Sequence, residues 1–224
     1  MKILLISGHG AGDPGAIGTY NGKTYKEADL TREVVSAVAK KLTDYASVTV
    51  YDQSRNAYTD YKNGVLNKNA NFAKYDFVLE IHFNAFKKDA GNGVTKGVEI
   101  YAKSGSNIEP SICKNIAAVG FKNRGVKSNG FAVINTARSK GVRAALLEVC
   151  FIDDADDMAV YLNNKEEVVD AIVKGFGLKK TTDPLASYKA NIKAKAGLSD
   201  STIEYLADYK YGEDLLKKLS NAMK

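Results

Sequence analysis

Three unbroken apolar runs constrain this chain most: KILLIS (Lys2–Ser7), YDFVLEIHF (Tyr75–Phe83) and RAALLEVCF (Arg143–Phe151). Such runs lack the alternation of a strand with one wet face. They fit strands covered on both sides, as in parallel sheets flanked by helices. The segments between them supply the helices. In EADLTREVVSAVAKKLTDY (Glu27–Tyr45), Leu30, Val34, Val35, Val38 and Leu42 fall on one helical face. Ser106–Phe121 has similar spacing, with Pro110 placed where a first turn accepts it. Asn164–Leu178 begins with acidic residues, as the helix dipole favours. A short helix is expected within Gly64–Lys74. Further strands are expected at Ser47–Tyr51, at Gly97–Ala102 and in GFAVIN (Gly130–Asn135). Strands alternating with helices predict an α/β fold: a mostly parallel twisted sheet of about six strands with helices on both faces.

The pattern stops near residue 178. KKTTDPLAS (Lys179–Ser187) reads as a linker, because Thr, Asp and Pro interrupt any periodicity. Residues 188–224 carry no strand signal. Gly197 and Gly212 divide them, Ser199 suits a helix cap, and Glu213 and Asp214 suit another helix start. The expected organisation is a main domain over 1–178, a linker over 179–187, and a small helical domain over 188–224. So small a bundle has a thin core, so it is expected to pack on the main domain, on a copy of itself as a homo-oligomer, or on a target surface.

Several classes are excluded. No run reaches transmembrane length. Cys113 and Cys150 form no CxxC pair, which argues for two buried thiols rather than a disulfide framework. The net charge of +6 suits an acidic partner, but no dense Lys/Arg block or recognised motif supports nucleic acid. MKILLISGHG is too short in its apolar part for an export leader and has no small-residue cleavage site. The expectation is a protein that stays in the cytoplasm until something releases it.

The chain holds only two histidines, and both close apolar runs. His9 opens the glycine-rich stretch GHGAGDPGAIG, and His82 lies in EIHFNA. In an open α/β sheet, loops at the carboxyl ends of strands converge on the functional site. Two imidazoles there are either structural or metal ligands. With one carboxylate and an open position they would describe a catalytic zinc centre. Glu27, opening the first helix, suits either a third ligand or a plain helix-start acid. Glu148 stands inside RAALLEVCF, where an unpaired carboxylate is costly to bury. It is therefore either satisfied by a specific partner or used for proton transfer. By strand alternation Glu80 shares His82's side, as an acceptor for its ring or as an edge residue.

In that order, GHGAGDPGAIG, the helix-opening Glu, IHFNA and LLEVCF resemble the zinc-dependent N-acetylmuramoyl-L-alanine amidases, the peptidoglycan amidases of autolysins and phage endolysins. The resemblance covers residues 1 to 178. It implies Zn2+ as cofactor, with His9, Glu27 and His82 as metal ligands and Glu148 as the catalytic acid. It also implies bacterial peptidoglycan as substrate, cut between N-acetylmuramic acid and the L-alanine of the stem peptide. Departures are Glu80 where the family often has Ser, Cys150 where it usually has Gly, and Arg143 near the place of a common Pro. With the leaderless start, the resemblance points to a phage endolysin that reaches the wall at lysis. Two rival readings are a zinc carboxypeptidase-like metallohydrolase and a non-catalytic wall-binding protein. The first would free a terminal amino acid. The second would be indifferent to Glu148.

Overall fold

The computed structural model describes residues 1–103, 105–180 and 185–223. The chain divides into two compact units, Met1–Lys179 and a smaller one beginning at Lys180.

In chain order the first unit comprises β1 (Lys2–Ser7), a hairpin of β2 (Ile17–Tyr20) and β3 (Lys23–Lys26), α1 (Glu27–Leu42), β4 (Ser47–Val50), α2 (Ala57–Lys62), α3 (Leu66–Ala70) and β5 (Phe77–Asn84). It continues with β6 (Val98–Ala102), α4 (Ile108–Ala117), β7 (Asn123–Lys127), α5 (Ala132–Ser139), β8 (Arg143–Phe151), α6 (Ala155–Asn163) and α7 (Lys165–Gly175). The main sheet has six strands in the order β4-β1-β5-β8-β6-β7. The three apolar runs form its centre, β1, β5 and β8, which pair in parallel. Within this sheet, among the described residues, only β6 against β8 is antiparallel.

The central runs are apolar throughout because both of their faces are covered. Along β1, Ile3 and Leu5 pack into a core with Val34 and Val38 of α1, Ile112 of α4 and Ile172 of α7. The alternate residues Leu4 and Ile6 pack into a second core with Leu66 of α3 and with Val133 and Ile134 of α5. Each fully buried Leu or Ile is worth roughly 1.5–3 kcal/mol relative to exposure, so β1 alone anchors both layers.

Three local points add to or correct the sequence reading. GFAVIN is not a strand: Ala132–Ser139 is helical, with Val133, Ile134 and Ala137 buried on one face. Its β-branched residues pack a helix onto the sheet, and tertiary burial outweighs their strand preference. Second, Asn123–Lys127, for which the sequence set no expectation, is a strand; it is the sheet's edge, where one side of the ladder faces water. Third, Glu80 is not an edge residue, since β5 lies between β1 and β8. Both cysteines are free and buried, and burial pushes their thiols up, Cys113 to about 12.

The second unit contains α8 (Ala186–Ala196), α9 (Asp200–Ala207) and α10 (Gly212–Ala222). Gly197 ends α8 in the left-handed conformation that glycine favours, and Ser199 caps α9 by accepting from the Thr202 amide. Leu185, Ile192, Ile203 and Leu216 form its core. Residues 181–184 of the expected linker lie outside the described residues. Among the described residues, no helix is long and apolar enough to cross a membrane.

Candidate active site

β1 ends at Ser7, and the chain then turns sharply. His9, Gly10, Ala11 and Gly12 all have positive φ, at 61°, 97°, 50° and 92°. For His9 and Ala11 this is an uncommon conformation, of the kind that costs about 1–3 kcal/mol per residue. It persists because the loop is tied down. Gly10 and Asp13 exchange two backbone hydrogen bonds. Arg32 of α1 donates to the carbonyl oxygens of Gly8, His9, Ala28, Gln53 and Arg55. The turn swings the His9 ring back over the end of the sheet.

Glu27, the first residue of α1, is 3 % exposed and lies between the two histidines. Its Oε1 is 2.8 Å from His82 Nδ1 and accepts from the Phe83 amide. Its Oε2 is 3.1 Å from His9 Nε2 and accepts from the Ala16 amide. Burial works against the Glu27 charge, but the His82 and His9 bonds outweigh it and hold the carboxyl well below the usual range. Conversely, burial alone would lower the imidazoles, yet Glu27 raises His9, and Glu27 with Glu80 raises His82. The packing leaves no room for side chains at two glycines. A Cβ on Gly8 would stand 2.4–2.6 Å from atoms of the His82 ring, and one on Gly15 would stand 2.7 Å from Glu27 Oε2.

The four residues singled out from sequence thus meet at one edge of the sheet. His9, Glu27 and His82 each offer a ligand atom within 4.8 Å of the others. Glu148 stands beside His82 in the β5–β8 register, and its Oε2 is buried without a hydrogen-bond partner. Burial pushes its carboxyl up to about 7; His82 opposes the shift, while Glu27, Glu99 and Glu80 add to it. One cleft is lined by His9, Asp13, Glu80, His82 and Glu148, with Tyr58, Phe131 and Leu146 as its apolar walls.

The donor set suits a zinc ion. Tetrahedral donors about 2.0–2.1 Å from zinc stand roughly 3.3 Å from one another. Two imidazoles and one carboxylate whose ligand atoms all lie within 4.8 Å of one another can close to that spacing around an ion. Asp13 Oδ2 lies 2.8 Å from His9 Nδ1, which leaves Nε2 toward Glu27 and the site. The orphaned oxygen of Glu148 is a buried acceptor awaiting a proton or a donor.

Sequence reasoning missed Asp13, Asn56 and Arg32. Asn56 donates to Asp13 Oδ2 at 3.0 Å and so holds the carboxylate that holds His9. The only available signal was Asp13 itself, four residues after His9 in a glycine-rich loop. Asn84, two residues past His82, donates its side-chain amide to Glu99.

Comparison with known proteins follows the same lines. A family model described as N-acetylmuramoyl-L-alanine amidase, Amidase_3, matches residues 3–177. The sporulation-specific N-acetylmuramoyl-L-alanine amidase of Bacillus subtilis is 31% identical over 213 residues, covering 87% of this chain and 75% of that protein. The probable autolysin PH of Staphylococcus aureus is 31% identical over 173 residues, covering 70% of this chain but 34% of its own length. The chain thus spans about a third of that relative. The catalytic domain of CwlV, an N-acetylmuramoyl-L-alanine amidase of Bacillus (Paenibacillus) polymyxa var. colistinus, superimposes with a TM-score of 0.62 at 27% identity, covering 79% of this chain and 96% of that domain.

Proposed function

Because the chain belongs to the Amidase_3 family of N-acetylmuramoyl-L-alanine amidases, we propose that it hydrolyses the amide between the lactyl group of N-acetylmuramic acid and L-alanine of the peptidoglycan stem. The observation that carries this reading is the unpartnered Glu148 oxygen beside the histidine–glutamate cluster. His9, Glu27 and His82 would hold zinc. When bound, the metal supplies a Lewis acid that polarises the scissile carbonyl and lowers the pKa of water.

The rest is the work of this chain's own groups. Hydrolysis forms a carbon–oxygen bond, breaks the carbon–nitrogen bond, and moves one proton from water to the leaving amine. Glu148 is the group placed to carry that proton. Its burial and its unpartnered oxygen beside the cluster suit a carboxyl that takes a proton from water and gives one to the amine. Asp13 fixes the His9 ring.

For delivery we keep the endolysin reading. The smaller helical unit remains proposed as a wall-binding or self-associating appendage.

The test pairs metal content with cleavage. Purified protein and its Glu148→Gln variant are incubated with peptidoglycan, with and without chelator. Newly freed L-alanine amino ends and bound zinc are then measured. Equal zinc in both proteins, with amino ends from the metal-loaded wild type alone, supports the reading. The variant is expected to lose about 10²–10⁴-fold in rate. A free terminal amino acid as product would favour a carboxypeptidase. Equal release by the variant would remove Glu148 from the chemistry.

A further inference from the structure

The strand order sets the groups of the cleft, and those on the two strands beyond it, in a line. Crossing the sheet in the order β4-β1-β5-β8-β6-β7, one meets Tyr58 of α2, which follows β4, then His9 after β1, His82 on β5, Glu148 on β8, and Glu99 with Arg124 and Lys127 on β6 and β7. The two ends of this line have opposite chemistry.

At one end, Tyr58 lines the cleft and is 60% exposed. Tyr61, one helical turn on and 43% exposed, stacks on it with ring centroids 6.4 Å apart and planes 25° apart. This pair contributes little to the core, yet its backbone is firmly held. Asn56 caps α2 and donates to Gly10 O and Asp13, while Arg55 and Tyr51 both bind Asp60. The result is a rigid aromatic shelf, fixed to the same loop that carries His9.

At the other end, Glu99 pairs in register with Glu148 on the next strand. Glu99 is buried, and both Arg124 Nε and Lys127 Nζ bind its Oε2. Two cations on one carboxylate leave a net positive charge, and both cationic side chains are about a third exposed. Lys127 also lies over the Tyr101 ring, which packs on Phe131 of the cleft wall.

We propose that the polymer crosses the cleft in one direction, with its sugar stacked on Tyr58 and Tyr61 and its stem peptide running toward Arg124 and Lys127. This rests on the amidase reading and adds substrate polarity to it. On either side of the scissile bond the substrate differs in charge. The lactyl carboxyl is consumed in the amide and the sugars are N-acetylated, so the glycan side is neutral. Free carboxylates remain only on the stem. A pyranose ring presents polarised C–H groups that suit the negative face of an aromatic ring, whereas a carboxylate suits the cationic end.

The test uses the zinc-loaded full chain and soluble substrates that share the scissile amide. One is a short glycan carrying the stem; another is the same stem on a bare lactoyl group. Tyr58→Ala is expected to lower kcat/KM on the glycan substrate about 3–10-fold more than on the lactoyl peptide, through KM. Tyr58→Phe should restore the difference, since the ring face and not the hydroxyl is used. Lys127→Gln should lower kcat/KM about fivefold more on a stem with free carboxylates than on its amidated form. Equal losses on glycan and lactoyl substrates, or a Lys127 effect blind to amidation, would overturn the polarity. A Tyr58 effect that follows peptide length would overturn it too, by reversing it. Failure of the wild type to free amino ends from any substrate would instead sink the amidase reading.

Discussion

The histidine–glutamate cluster is held by second partners as much as by its own three residues. Asp13 is the clearest case: it binds His9 Nδ1, is held by Asn56, and accepts from the Gly15 amide. Asp13→Asn is expected to keep the fold and to weaken zinc about 10–100-fold, read by competition with a chromogenic chelator. An unchanged affinity would show that the loop orients His9 unaided. The same competition assay tests the protonation of the site. Without metal, both imidazoles hold their protons above their ordinary range: the Glu27 contact outweighs burial at His9, and Glu27 with Glu80 outweighs it at His82. A metal must displace those protons. The sign follows: affinity rises as pH rises through the raised imidazole range and falls as pH drops below it. Zinc affinity measured between about pH 6 and pH 8 should therefore climb steadily. A flat profile would mean that the imidazoles are not ligands. Three of the four residues that meet here stand out in the sequence because each breaks a pattern: a rare histidine closing an apolar run, or a carboxylate inside one; Glu27 reads as an ordinary helix-start acid and is marked only by the family resemblance. Asp13 and Asn56 break no pattern, being polar residues in polar loops, and only the folded loop reveals their use.

At the level of elements, what sequence reading captured depended on burial. β1, β5 and β8 were readable because two helical layers cover them and every position must be apolar. The edge strand β7 was not, because NRGVK has one wet side and is almost wholly polar. α5 was misread because short apolar segments with β-branched residues suit either state, and its contacts with the second core decide between them. α2 and the β2–β3 hairpin are too short to show a period. The elements also meet closely at the site, and Gly8 is where β1 passes under the His82 ring. Gly8→Ala is expected to displace that ring, which has no slack because Glu27 and Glu80 hold both of its nitrogens. The expected result is native-like helical circular dichroism with sharply reduced bound zinc, measured by atomic emission. Full zinc content in a folded Gly8→Ala protein would mean that the strand end, rather than the ring, gives way.

For the molecule as a whole, the division into two units has an energetic consequence. The larger unit has two cores on either face of a six-stranded sheet, whereas the smaller rests on Leu185, Ile192, Ile203 and Leu216. Removing most of one buried leucine costs about 2–5 kcal/mol. For the larger unit that is a fraction of its stability; for a bundle of this size it is comparable with the whole. Leu216 is fully buried, on the apolar face of α10. Leu216→Ala is therefore expected to unfold the helical unit and leave the sheet intact. Helical ellipticity should fall by the share of α8, α9 and α10, while the main thermal transition stays within about 2 °C. Amino ends released from a soluble muramoyl peptide should remain within about twofold of wild type, because every group of the cleft belongs to the larger unit. Release from whole walls is the informative contrast. A selective loss there would assign the helices to the wall. A shift in the concentration dependence of activity would assign them to self-association. Loss of the main transition itself would show that the sheet depends on the bundle for its stability.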